Sequence, residues 1–219
     1  MRPIWNEQPK VLAPVGGQPF IFHLLRQLAE AGIRNAVLCT GYLGEKVKEA
    51  LGDSFSNVRL TYSQEEKLLG TAGALRLALP YFKSDSVLIM NGDSYCPLDL
   101  RAFIDSWNDE TDIAIALGHS NFPESCGRVV LDSDGRINHF SEKETESNSS
   151  WVNAGIYRMK TEVLKSVAKG TFLSLEKDLF PQWVKKGIRG YLTEEKIYDI
   201  GTPESYQNTL TFFEQMSAL

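Results

Sequence analysis

No apolar run in the 219 residues reaches the ~18–20 needed to cross a bilayer, so no membrane partner is expected. The opening Met1-Arg2-Pro3-Ile4-Trp5-Asn6 lacks an apolar signal core, which argues against export and for a cytoplasmic protein. Cysteine is scarce. Cys39, Cys96 and Cys126 are odd in number and far apart, which excludes a disulfide framework and a zinc knuckle. The three histidines, His23, His119 and His139, have no ligand spacing and read as surface or packing residues. Positive charge is in deficit, 23 Lys and Arg against 28 Asp and Glu, for a net charge of −5. That balance argues against nucleic acid as a partner, though not against a phosphorylated ligand held at one point.

A hydrophobic share of 42% over this length can bury a full core without staples. The first half alternates apolar runs with helix-period segments. Ile21, Leu24, Leu25 and Leu28 mark a helix over residues 20–31, stopped by Gly32. Residues 36–39 read as a buried strand, 44–51 as a short helix, 58–62 as a strand, 71–79 as a helix closed by Pro80, and 86–90 as the clearest strand. This alternation predicts βαβ units and a doubly wound, mostly parallel mixed sheet flanked by helices. After Trp107 the character changes to a small β-rich part, with strands over 113–117, 128–131, 137–140 and 151–159. Asp132-Ser133-Asp134-Gly135 is a hairpin turn signal, residues 142–150 a polar loop, Ser174 a helix N-cap, and Thr202-Pro203 the start of the last helix. No linker divides the chain, which reads as one domain: about 1–110 for one ligand half, about 111–219 for the other.

Six short motifs carry the candidate chemistry. Asn91-Gly92-Asp93 ends the 86–90 strand, where sheets of this kind place ligands; a carboxylate there suits Mg²⁺, and the bland alternative is an ordinary turn. Asp199-Ile200-Gly201-Thr202-Pro203 is a second acidic strand end, whose aspartate alone is better read as a helix cap. Leu69-Gly70-Thr71-Ala72-Gly73 could present backbone to a flat base, or simply pack against the sheet. It has neither the dinucleotide glycine spacing nor a Walker lysine. Lys10 in Pro9-Lys10-Val11-Leu12-Ala13-Pro14 and Lys143 in Ser141-Glu142-Lys143 are ambiguous alone, and Val152-Asn153-Ala154-Gly155-Ile156-Tyr157 completes the series.

In this order and spacing the six motifs resemble the sugar-1-phosphate nucleotidyltransferase family over nearly the whole chain. The resemblance implies that a sugar 1-phosphate attacks the α-phosphorus of a nucleoside triphosphate and pyrophosphate leaves, feeding nucleotide-sugar and polysaccharide synthesis. Asp93 and Asp199 would hold Mg²⁺, Lys10 would stabilise phosphate charge, and Lys143 would grip the sugar phosphate. Gly70, Thr71, Gly73 and Asn91 would serve the nucleotide, with Glu65 or Glu66 accepting hydrogen bonds from guanine. Gly127, Glu142, Asn153, Gly155 and Glu176 would contact the sugar. Residues 11–17 and 88–96 are most similar to guanylyltransferases acting on a manno-heptose 1-phosphate, and a homo-oligomer is compatible with all of this.

The family usually opens with a strand and a glycine-rich loop ending in Gly-Thr-Arg-x-Arg-Pro, of which Met1-Arg2-Pro3 matches only the tail. The expectation is therefore a missing strand and loop, through an internal start or a natural variant that binds without turnover, with weak activity or none. Retention of Lys10, Asp93, Lys143 and Asp199 favours the internal start. The rivals are a non-catalytic nucleotide or sugar-phosphate binding module, and a glycosyltransferase using Asp132-Ser133-Asp134 as a metal motif, which the hairpin reading disfavours.

Overall fold

The computed structural model describes residues 8–107, 111–141 and 150–217. A 3-10 turn over Lys10–Leu12 leads into a small hairpin of β1 (Pro14–Val15) and β2 (Gln18–Pro19). In α1 (Phe20–Glu30) the buried Phe20, Ile21, Leu24 and Leu25 recur at helical spacing, and the expected stripe faces the core. There follow β3 (Asn35–Thr40), α2 (Gly44–Leu51), β4 (Ser54–Phe55), β5 (Val58–Gln64), α3 (Gly70–Ala78), β6 (Ser86–Met90), β7 (Ser94–Tyr95) and α4 (Leu100–Asp105). The second half comprises β8 (Ile113–Ser120), β9 (Arg128–Leu131), β10 (Ile137–Ser141), β11 (Val152–Lys160) and α5 (Thr161–Lys165). A π-helical turn over Leu175–Leu179 then runs into α6 (Phe180–Trp183), and β12 (Arg189–Asp199) and α7 (Pro203–Ser217) close the chain.

Seven strands form one sheet in the order β10-β9-β11-β8-β12-β7, with β6 also on β11; β3-β5-β4 form another. Strands from both halves of the sequence thus share the larger sheet. It is mixed, as expected, but not mostly parallel. Among the described residues only β3–β5 and β8–β12 pair in parallel, whereas β11 is antiparallel to β6, β8 and β9. Connectivity contributes: helical crossovers return parallel neighbours, whereas β9 reaches β10 through a tight turn, which reverses direction. A second correction concerns residues 36–39. Ala36, Val37 and Leu38 are only half-buried and Cys39 is exposed, because β3 is paired on one side alone among the described residues. The strand and glycine-rich loop expected to be missing bear on residues 1–7, which lie outside the described residues.

Alternation along β8 and β11 sends side chains to two cores. Ile113, Ile115, Leu117, Tyr157 and Met159 pack with Leu164, Leu175, Phe180 and Trp183 on one face. Ala116, Val152, Ala154 and Ile156 pack with Cys96, Leu98, Leu100 and Phe103 on the other. A third cluster joins α1, β5 and α7 through Leu24, Leu25, Leu60 and Phe213. At the hairpin between β9 and β10, Asp132 Oδ1 accepts from the backbone N–H of Asp134 and of Arg136 at 2.9 Å each. The hairpin turn read from Asp132-Ser133-Asp134-Gly135 is thus formed, with Asp132 Oδ1 holding it together.

Candidate active site

Three pieces of chain bring the central charges together. At the end of β6, Asn91 N donates to the Gly155 carbonyl at 2.8 Å, tying this strand end to β11. A Cβ on Gly92 would lie 3.3 Å from Val11 Cγ1, so the 3-10 turn carrying Lys10 packs directly on the turn that follows β6. Lys10 Nζ then sits 2.8 Å from Asp93 Oδ2, both side chains partly exposed. From the other side, β12 pairs antiparallel with β7 so that Asp199 stands opposite Ser94, and Ile200 N donates to the Asp93 carbonyl at 3.0 Å. Two aspartates remote in sequence thereby become neighbours. A Cβ on Gly201 would lie 2.8 Å from Asp199 Oδ1 and 3.6 Å from Lys10 Nζ, so the ammonium borders both acidic positions.

Asp199 also supports the helix behind it. Its Oδ1 accepts from Gly201 N and from Ser205 Oγ, each at 2.7 Å. Ser205 Oγ in turn accepts from Thr202 N at 3.0 Å while Thr202 Oγ1 accepts from Ser205 N at 3.1 Å, a reciprocal cap on α7. The capping and chemical readings of Asp199 coexist, and the positive end of α7 favours its negative charge. Sequence reading missed Ser205, although its place three residues after a threonine N-cap is a recognisable signal.

Asp93 and Asp199 offer hard oxygen donors, and Asp93 Oδ1 and Asp199 Oδ2 accept no hydrogen bond among the described residues. No group of three or more His, Cys, Asp or Glu gathers as a metal cage among the described residues. Two carboxylates without a cage fit magnesium, which retains water and phosphate oxygens in its shell, better than zinc. Cys96, three residues after Asp93, is fully buried, and burial pushes its thiol up to about 12. At neutral pH it carries no thiolate and is no nucleophile.

A second cluster lies around Glu176. Gly70, at φ +69°, lets α3 start hard against the chain: a Cβ there would be 2.5 Å from the Leu173 carbonyl oxygen, and one on Gly73 2.6 Å from that of Thr171. These glycines thus serve packing, though against residues 171–173 ahead of the π-helical turn rather than against the sheet. Thr71 Oγ1 donates to Glu176 Oε2 at 2.8 Å, and Tyr157 OH to Glu176 Oε1 at 3.1 Å. Asn153 Nδ2 reaches Tyr157 OH at 2.9 Å, and Asn153 N bonds the Gly127 carbonyl at 2.8 Å. Residues predicted for the base and for the sugar are therefore connected. Asn91, assigned to the nucleotide, packs on Gly155 from the sugar set. Glu65 stands apart, its Oε2 accepting from Leu69 N at 3.1 Å and its side chain resting on Gly41. Glu142 and Lys143 lie outside the described residues.

The sequence matches the Nucleotidyl transferase family over residues 1–216. The chain belongs to that family. It is 30% identical over 211 residues to a mannose-1-phosphate guanylyltransferase of Mycobacterium tuberculosis, covering 94% of this chain but only 59% of that protein's length. It is 29% identical over 209 residues to the D-glycero-alpha-D-manno-heptose 1-phosphate guanylyltransferase of Aneurinibacillus thermoaerophilus, covering 94% of this chain and 90% of the relative. Among solved structures, HddC of Yersinia pseudotuberculosis complexed with GMP-PN gives a TM-score of 0.83 at 26% identity, covering 97% of this chain and 93% of the other. A putative glucose-1-phosphate thymidylyltransferase from Bacillus anthracis gives 0.84 at 25%, covering 97% and 89%. This nucleotidyl transferase shares their mixed α/β fold. No helix among its described residues is long and apolar enough to cross a membrane.

Proposed function

We propose that the chain transfers a nucleoside monophosphate from a nucleoside triphosphate to a sugar 1-phosphate, with GTP and a mannose or manno-heptose 1-phosphate as the pair. The observation that carries this reading is the convergence of Lys10, Asp93 and Asp199 where β7 meets β12. Transfer at phosphorus needs alignment and charge neutralisation more than a covalent partner from the protein, and this corner supplies charges of both signs. Asp93 and Asp199 would hold magnesium, which when bound supplies neutralisation of the α-phosphate and orients the attacking oxygen. Lys10 is placed to stabilise charge that grows on the α-phosphate as pyrophosphate departs. The Gly70 turn serves the nucleotide side, while Asn153, Gly155 and Glu176 frame the sugar side. The guanine preference is supported by the named activities of the relatives above.

A pyrophosphate-release screen crossing four nucleoside triphosphates with glucose, mannose and manno-heptose 1-phosphates tests the proposal. The expected result is magnesium-dependent release, highest with GTP and a manno-configured sugar. Binding of nucleotide without release in any combination would favour the non-catalytic module instead.

A further inference from the structure

We infer that Thr71 and Tyr157 are positioning residues, and that the hydrogen-bonded chain Thr71–Glu176–Tyr157–Asn153, buried at Glu176 and Tyr157, couples the nucleotide-side turn to the sugar-phosphate side. The inference rests on the transferase reading above and deepens it.

Glu176 is 7% exposed and Tyr157 is fully buried, so a charge there must be met by donors. Three hydroxyls meet it. Thr71 Oγ1 and Ser174 Oγ each approach Glu176 Oε2 at 2.8 Å, and Tyr157 OH approaches Oε1 at 3.1 Å. Each hydroxyl also receives an N–H: Thr71 from Leu175 N at 2.7 Å, Ser174 from Lys177 N at 3.2 Å, Tyr157 from Asn153 Nδ2 at 2.9 Å. An oxygen that accepts an N–H turns its own proton elsewhere, so all three O–H groups aim at Glu176 and their direction is fixed. The same logic orients Asn153. Its Nδ2 is committed to Tyr157 and its Oδ1 accepts from Gly155 N at 3.0 Å, so the amide cannot flip and keeps one N–H for a ligand.

The hydrogen bonds span separate parts of the fold. Thr71 stands on the exposed first turn of α3, Glu176 in the π-helical turn, and Tyr157 and Asn153 on β11 across the irregular stretch that holds Gly155. Single π turns recur at functional sites. Here the turn lets Ser174 O take both Asp178 N and Leu179 N at 3.2 Å while Glu176 faces inward. A displacement of Thr71 when a nucleotide binds moves Glu176, the acceptor that Thr71 shares with Tyr157, and through the Tyr157 hydroxyl it reaches Asn153.

The test is a double-mutant cycle of Thr71→Val and Tyr157→Phe, each removing one hydroxyl with little change of shape, with Thr71→Ser as the conservative variant. Pyrophosphate release is followed against mannose 1-phosphate at saturating GTP. Either substitution is expected to raise KM for mannose 1-phosphate roughly tenfold, the scale of losing a hydrogen bond to a charged group, and to lower kcat less. The double variant should exceed either single one by little, and Thr71→Ser should restore KM. Additive effects, or a Thr71→Val change confined to the GTP KM, overturn the coupling. If the wild-type protein releases no pyrophosphate the transferase reading fails, and the same cycle is read by calorimetric titration of mannose 1-phosphate. Non-additive loss of affinity then still carries the coupling; additive loss, or no binding by any variant, overturns it.

Discussion

Gly155→Ala separates the cost of a strained backbone from the cost of disturbing the active-site corner. Gly155 sits at φ +70°, where an L side chain costs about 1–2 kcal/mol. Its new Cβ would also meet Ser94 Oγ at 2.7 Å, Asn91 Nδ2 at 3.0 Å and Asn91 Cβ at 3.1 Å. The serine hydroxyl can rotate away, but Asn91 Cβ is fixed to a backbone whose N–H is bonded to Gly155 itself. Overpacking of that kind adds about 1–3 kcal/mol, for a total of roughly 2–5 kcal/mol. For a chain of this size the melting temperature should fall by about 4–20 °C. Gly135→Ala is the control: φ is +75°, yet nothing lies within 4 Å of the added carbon. It should cost only the strain, about 2–8 °C, and leave turnover intact because it sits in the β9–β10 hairpin. Gly155→Ala should also lower kcat, since Asn91 leads directly to Asp93. Calorimetric melting and pyrophosphate release on both variants decide the matter. Equal losses of stability, or full activity in Gly155→Ala, would refute the reasoning.

Asp199→Asn keeps an acceptor for Gly201 N and Ser205 Oγ and should melt near the wild type, yet lose about 10²–10³ in kcat for want of charge. Asp199→Ala should lose both, by about a further 1–3 kcal/mol of stability; an active Asn variant would contradict the assignment. Lys10→Met should lower kcat far more than it lowers stability, because its partly exposed ion pair with Asp93 contributes only about 0–1 kcal/mol. Equal kcat in wild type and Lys10→Met would remove lysine from the mechanism. His23 supplies a pH dependence. Burial lowers its pKa, against the raising effect of the Val15 carbonyl, and the Arg26 charge lowers it further. The neutral ring is held by Nε2 donating to Val15 O at 3.0 Å and by Gln18 Nε2 donating to Nδ1 at 3.2 Å. The unfolded chain takes a proton near pH 6.5 that the folded protein resists, so this stability is intact above about pH 6.5 and lost as pH falls through the folded value. Urea titrations at falling pH should show a steeper loss for wild type than for His23→Gln; parallel losses would exclude His23.

Much of this was legible in the sequence because local signals matched the fold. Phe20–Glu30, Gly44–Leu51 and Ser86–Met90 formed as periodicity and stop residues indicated, and Thr202 caps the last helix as read. Strand direction was not legible, since apolar runs look alike whichever neighbour they meet, and β11 pairs antiparallel with strands from both halves. The pairing of Asp93 with Asp199 was likewise invisible to spacing; it arises from a two-residue ladder between β7 and β12. The base and sugar sets had separate motifs, yet Glu176 receives donors from both Thr71 and Tyr157, a junction that exists only in three dimensions.

Binding of Mn²⁺, followed by electron paramagnetic resonance in the presence of a non-hydrolysable GTP analogue, tests the paired aspartates most directly. Wild-type protein should immobilise one ion per chain, and Asp93→Asn and Asp199→Asn should each abolish that signal while nucleotide still binds. An unchanged spectrum in either variant would contradict a cation shared between these two side chains.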